Sequence, residues 1–290
     1  MKESAAWRWL RDQRYALPRR AARWLRTPDP ADAAALCARL RRREFAATVG
    51  YFQDDGDNPD TIIAAYRAAA ARLIGTGAYL SVKAPPLGFC PARLRALANA
   101  GAAAGMPLML DAHGPADAEA TIAATEQLLA DFPGTGCVLP ARWRRSSADA
   151  VRLRDTTARI RIVKGEWPDP DADPADTDAA YLALVSEFAG RTAPVAIATH
   201  RPALAAQALD RLIAAGTPVE LEQLRGLPRA RTVTIARQRG VPVRLYIPFG
   251  PGWWPYAIDK ALARPWLPLW MLRDMLGLRD PSSSKMGQPD

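Results

Sequence analysis

Eight short β-prone runs recur from residue 45 onward, each followed by an Ala- and Leu-rich stretch of helical period, and no other feature constrains the fold as tightly. The runs are Phe45–Phe52, Ala78–Ala84, Pro107–His113, Gly136–Ala141, Arg159–Gly165, Val195–His200, Val219–Leu224 and Val243–Phe249. The helical stretches between them tend to open on Pro or Ser and close on Gly, as ordinary helix start and stop signals do. Eight successive βα units predict an α/β fold, a closed (βα)8 TIM-like barrel. A doubly wound open sheet is the alternative, but the chain contains no G-x-G-x-x-G turn to support one. A chain of 290 residues, 49% hydrophobic, is enough for one such core.

The remaining segments flank this repeat. Residues 1–44 read as a basic helical arm carrying most of the +9 net charge, packed on the barrel through Trp7, Leu10, Trp24 and Leu25. A basic arm can meet nucleic acid or an acidic surface, yet nothing in it matches a nucleic-acid-binding motif, and none is expected as a partner. The barrel is expected over 45–280, and the polar, Pro/Ser-rich residues 281–290 read as a disordered tail. No apolar run reaches the ~18 residues of a membrane span and no signal-peptide core opens the chain, so a cytoplasmic location is expected. The apolar run Pro265–Leu278 could touch a membrane surface or a partner, and packing against the barrel is the expectation. Cys37, Cys90 and Cys137 are odd in number and far apart, which suggests neither disulfides nor zinc.

In such a barrel the chemistry sits where strands end, so polar residues at those ends are the candidates. Lys83 closes the second run, Asp111 and His113 the third, Lys164 and Gly165 the fifth, Thr199 and His200 the sixth, and Glu222 and Gln223 the seventh, with Tyr246 inside the eighth. The chain uses 34 Arg and only 5 Lys, so lysines retained at strand ends point to a need for a compact ammonium donor. Asp111, His113, His200 and Glu222 could form a metal-dependent hydrolase site, but no His-x-His or helical His–Glu pair reinforces it, and no metal is expected. Trp253 and Trp254 could stack on a planar ligand or plug the barrel end.

Four stretches in order, over roughly residues 45–265, carry a family resemblance: Ser81–Gly88 with Leu108–His113, Ile160–Trp167, Ile197–Pro202 and Val243–Tyr256. Together they resemble the FAD-dependent proline dehydrogenase barrels of the proline utilization A type. That resemblance implies a flavoprotein oxidoreductase with non-covalent FAD, acting on the CH–NH bond of a small amine or amino acid. It places Arg161, Val163, Gly165, Thr199 and His200 against the flavin, with Glu222 at the position of a flavin-side glutamine. It makes Lys83, Asp111 and Tyr246 the catalytic set, with Lys83 and Asp111 as an ion pair beside the substrate, and Tyr246 and Tyr256 on the substrate side. The electron acceptor stays open, a quinone being one candidate.

The departures from that pattern bear on substrate. Where the family has two arginines that grip the substrate carboxylate, followed by a glutamate, this chain has Asp259, Lys260 and Ala263. Pro140 stands at a fourth-strand glutamine and His113 at an acidic position. Asp259 and Lys260 together offer a carboxylate no net charge, so free L-proline is not the expected substrate, and a modified amino acid or another amine is. Two alternatives remain: an ordinary L-proline dehydrogenase with a rearranged carboxylate site, and a catalytically inactive barrel serving as a binding or regulatory subunit.

Overall fold

The computed structural model describes residues 24–263 and residue 269. Its eight strands close into one parallel barrel in sequence order, as the eightfold alternation predicts. The strands are β1 (Phe45–Tyr51), β2 (Tyr79–Val82), β3 (Leu108–Leu110), β4 (Gly136–Pro140), β5 (Arg159–Val163), β6 (Val195–Ala198), β7 (Val219–Leu224) and β8 (Val243–Phe249). Closure is made by β1 on β8, in register from Phe45 opposite Val243 to Tyr51 opposite Phe249. Several predicted runs prove longer than their strands: Asp111, His113, Lys164, Gly165, Thr199 and His200 lie in the loops just beyond, at the carboxyl mouth.

The helices among the described residues are α1 (Pro30–Arg41), α2 (Pro59–Arg72), α3 (Pro91–Ala103), α4 (Ala118–Leu129), α5 (Arg145–Leu153), α6 (Thr177–Glu187), α7 (Pro202–Ala214), α8 (Ala230–Gln238) and α9 (Trp253–Ala263). Helices α2 to α8 cover the strands from outside, burying Leu80, Val82, Leu108, Leu110, Ile160, Ile162, Val195, Ile197 and Leu221. Two buried tyrosines tie helices to strand carbonyls: Tyr66 of α2 donates to Ser81 O at 2.6 Å and Tyr181 of α6 to Ile162 O at 3.0 Å.

The two ends of the barrel sequence do not follow the repeat. Helix α1 starts at a capping box made by Asp29 and Asp32, then buries Ala33, Cys37 and Leu40. It packs against β1, β8 and α2, on the flank a helix following β8 would otherwise cover. The expected anchors are different: Trp24 is 91% exposed and Leu25 is exposed, while Trp7 and Leu10 lie outside the described residues. The short apolar face of α1 with its small residues can approach the strands closely, whereas Trp24 precedes the helix and has nothing beneath it. Helix α9 instead crosses the mouth. Its Trp253 and Tyr256 rings meet Phe52, just beyond β1, at 5.4 and 5.2 Å, and its Lys260 pairs with Glu166, just beyond β5. Strands β1 and β5 stand opposite each other in a ring of eight, so α9 spans the opening. The 281–290 tail and all of Pro265–Leu278 except Leu269, which is exposed, also lie outside the described residues.

Candidate active site at the barrel mouth

Much of the barrel interior is lined by charged side chains. Strands β5, β7 and β8 alternate apolar residues toward the helices with Arg159 and Arg161, Glu220 and Glu222, and Arg244 and Tyr246 toward the axis. Arg159 donates to Glu220 and Glu222, each at 2.6 Å, and Arg244 to Glu220 at 2.9 Å and to Ala47 O at 2.6 Å. The Tyr79 ring faces the guanidinium carbons of both Arg159 and Arg244 at 4.7 Å. One layer higher, Arg161 donates to Glu222 at 2.8 Å and to Ser81 Oγ at 3.1 Å, and forms a salt bridge with Asp111. With Asp111 the interior holds three arginines and three carboxylates, a neutral network in which each charge has a partner of opposite sign.

This network decides ionisation. Burial works to raise the Glu222 carboxyl, but Arg161, Arg159 and Arg244 outweigh it and hold the group far below the usual carboxylate range. Burial likewise opposes the Arg161 charge, and Glu222 and Asp111 more than compensate. Glu222 is 2% exposed with both oxygens taken, so it steadies Arg161 from below and presents no free oxygen to a ligand at the rim.

Above Arg161, Asp111 accepts from Ser81 Oγ at 2.5 Å and from the Tyr246 hydroxyl at 3.2 Å. The Tyr246 ring lies 5.3 Å from the Arg161 guanidinium carbon, and burial together with Asp111 pushes its hydroxyl well above the ordinary phenol value. Gly50 makes room for it: a Cβ there would fall 2.0 Å from the Tyr246 oxygen. Asp111, Arg161 and Tyr246 are thus brought together from β3, β5 and β8.

The expected Lys83–Asp111 ion pair is not formed. Asp111 turns to Arg161, whose planar fork reaches it across the axis, while Lys83 turns to the end of β1, its Nζ 3.4 Å from Tyr51 O and 3.9 Å from the centre of the Phe52 ring. Burial lowers the Lys83 pKa, and Asp111 opposes that only from a distance. The other cations near the rim are engaged as well. Lys260 pairs with Glu166, which also lies 3.5 Å from the Tyr256 hydroxyl, and Arg142 pairs with Asp173. Burial and the like charges of Arg229 and Arg39 lower the Arg225 pKa.

The four residues of the conceivable metal site do not converge. Asp111 and Glu222 flank Arg161, His113 lies 3.5 Å from Asp117, and His200 braces the loop after β7. Among the described residues no three His, Cys, Asp or Glu side chains are placed to hold a metal. His200 Nε2 accepts from Leu224 N–H at 3.2 Å, so Nδ1 carries the proton and donates to Pro228 O at 2.7 Å. Both imidazole nitrogens are thus committed inside the protein. Thr199 holds the same turn, its O accepting from Gln223 at 2.7 Å and its Oγ1 from Arg201 N–H at 3.2 Å.

Arg159, Glu220, Arg244, Ser81 and Tyr79 were not among the sequence candidates. The signal for Arg159, Glu220 and Arg244 is present in the strand sequences RIRIV, VELEQL and VRLYIPF, where a charged or polar residue (Arg159 and Arg161, Glu220 and Glu222, Arg244 and Tyr246) recurs two positions on. In a strand covered by helices outside, such alternation can place charges only toward the axis.

The profile of the proline dehydrogenase family matches residues 34–252. The chain belongs to that family. Among curated proline dehydrogenase relatives, proline dehydrogenase 1 of Bacillus subtilis (strain 168) is 24% identical over 190 residues, 63% of this chain and 63% of that protein. The proline dehydrogenase of Deinococcus radiodurans is 27% identical over 227 residues, 71% of this chain and 72% of that one. The proline utilization A structure from Bdellovibrio bacteriovorus inactivated by N-propargylglycine superposes with a TM-score of 0.70 at 18% identity, covering 81% of this chain and 31% of that chain. That of Corynebacterium freiburgense gives 0.68 at 19%, covering 93% and 34%. This chain therefore shares the proline dehydrogenase barrel and spans about a third of those longer proteins.

Proposed function

We propose that this protein is an FAD-dependent dehydrogenase that removes a hydride from the carbon next to nitrogen of an amino acid or amine, and that free L-proline is a poor substrate. The observation that carries the reading is the Asp111–Arg161–Tyr246 cluster under α9 in a proline dehydrogenase barrel. The cofactor's place is supported by the rim of β5 and β6, where Val163, Lys164, Gly165, Thr199 and His200 are half-buried above fully buried strand residues, with Trp167 half-exposed beside them. Gly165 adopts φ +111, and a Cβ there would crowd Pro140 and Arg142, so the backbone at this rim presents no side chain to a ligand.

Bound FAD would supply the hydride acceptor at this rim. The protein's own part is electrostatic and steric. Arg161, charged and fixed by Glu222 and Asp111, holds a positive group under the mouth that needs no reorganisation during reaction. Tyr246, propped by Asp111, and the Phe52, Trp253 and Tyr256 rings wall the substrate side, and α9 excludes water above them. Two of the rim cations are withdrawn from a free carboxylate, Lys260 by Glu166 and Arg142 by Asp173, which supports a weak hold on proline.

Absorption spectroscopy of the purified protein tests the reading. A yellow preparation with a flavin spectrum, bleached anaerobically by an amine substrate and restored on adding a quinone or dye acceptor, is expected. A colourless protein that takes up no added FAD refutes it.

A further inference from the structure

One ring ties the β1 side of the mouth together. Strand β1 turns alternate residues to the axis, and Gly50 is among them, because a Cβ there would fall 2.0 Å from the Tyr246 hydroxyl oxygen. The next residue in that alternation is Phe52, just beyond the strand, so the wall that Gly50 leaves without a side chain is resumed one step higher by a phenyl ring. That ring meets both the site and the helix above it. Its centre lies 6.4 Å from the Tyr246 ring and 5.4 and 5.2 Å from Trp253 and Tyr256 of α9, with the Lys83 ammonium 3.9 Å away. Its backbone is held on both sides: Phe52 N–H donates to Phe249 O at 2.8 Å, and Phe52 O accepts from Gly252 N–H at 2.9 Å. Phe52 is nevertheless only half-buried, so these contacts do not cover it.

We propose that Phe52 is the specificity-determining residue of this site, its ring setting the size of the amine that the mouth accepts: a small ring enters, and one carrying a further aromatic group is turned away. The proposal rests on the amine dehydrogenase reading above. Tyr246, Trp253 and Tyr256 each touch Phe52, so a ligand that displaces the phenyl ring disturbs all three contacts at once. It also strips Lys83 of its aromatic neighbour. Overfilling so closely packed a wall is costly, and one methylene in an apolar pocket already discriminates ligands by about 10–200-fold.

The test measures dissociation constants of pyrrolidine and 2-benzylpyrrolidine by calorimetry, on the purified protein kept anaerobic with dithionite so that no amine is consumed. The native protein is expected to bind pyrrolidine at least about tenfold more tightly. Phe52→Ala, which removes the phenyl ring, should strengthen binding of 2-benzylpyrrolidine and weaken that of pyrrolidine, moving the ratio of the two by about tenfold or more. Phe52→Leu disturbs the packing less and should move the ratio the same way by a smaller factor, which keeps the test decisive if the alanine variant does not fold. A purely structural role would weaken both amines alike and leave the ratio where it was. An unchanged ratio in the folded variants, or a native protein that holds 2-benzylpyrrolidine as tightly as pyrrolidine, overturns the proposal. Because binding is read without turnover, a protein without flavin would refute the dehydrogenase reading while the amine ratio still decided this one.

Discussion

Replacing Glu222 with Gln probes the charge network on which the candidate site stands. The native carboxylate is 2% exposed and accepts from Arg159 at 2.6 Å and Arg161 at 2.8 Å. The substitution keeps the shape and one acceptor oxygen but removes the charge, leaving three buried arginines against Glu220 and Asp111. Breaking a buried ion pair from one side typically costs about 3–5 kcal/mol, and the retained amide oxygen places the expectation near the lower end, about 3 kcal/mol. That is a large share of an ordinary domain's stability of about 5–15 kcal/mol. Urea unfolding followed by tryptophan fluorescence measures it. The pH dependence adds a second signature. Because the native pKa of Glu222 lies below its unfolded value of about 4.5, its contribution is fully present above that pH and is lost as pH falls toward the native value. The difference between native protein and Glu222→Gln should thus be constant from pH 6 to 8, then shrink by about 1.4 kcal/mol per pH unit below pH 4.5. A variant within about 0.5 kcal/mol of the native protein, smaller than ordinary buried-pair losses, or a gap unchanged at pH 3.5, would refute the pairing.

Other perturbations address the mouth. Asp111→Ala and Arg161→Ala should be coupled by about 2–3 kcal/mol in a double-mutant cycle on stability, and Lys83→Ala with Asp111→Ala by less than about 0.5 kcal/mol, the reverse ordering showing that lysine is the true partner. Gly50→Ala should expel the Tyr246 ring, because the new Cβ would stand 2.0 Å from its oxygen; turnover should fall at least tenfold, and unchanged kinetics would mean the tyrosine is not used. Tyr246→Phe removes the hydroxyl and its 3.2 Å bond to Asp111, so a loss of about 0.5–1.5 kcal/mol in stability is expected, with a larger one pointing to contacts beyond this bond. Arg161→Ala should reduce flavin content per folded protein and shift its potential, and equal content and potential would remove Arg161 from the cofactor site.

Periodic features of the chain were legible before any coordinates. Alternation of β-prone runs with helical stretches is a local property, and eight repeats leave few closed arrangements, so the barrel and the positions of Asp111, Arg161 and Tyr246 follow from residue order. The charged lining was also written in RIRIV, VELEQL and VRLYIPF as a two-residue period, although its meaning depends on knowing which face the helices cover. Partner choice was not legible. Lys83 and Asp111 end neighbouring strands and invite pairing by proximity, yet Asp111 pairs with Arg161 of β5, two strands further round the ring. Nor could the pattern show that α9 leaves the outer wall and crosses the mouth, where Glu166 captures Lys260 and Asp259 is left with a buried oxygen unmet. Strand and helix identity depend on short-range periodicity, which a linear sequence carries. Ion pairing across a barrel axis depends on which side chains the closed ring brings opposite one another, and on the competition among several charges for each partner, which only the tertiary structure decides.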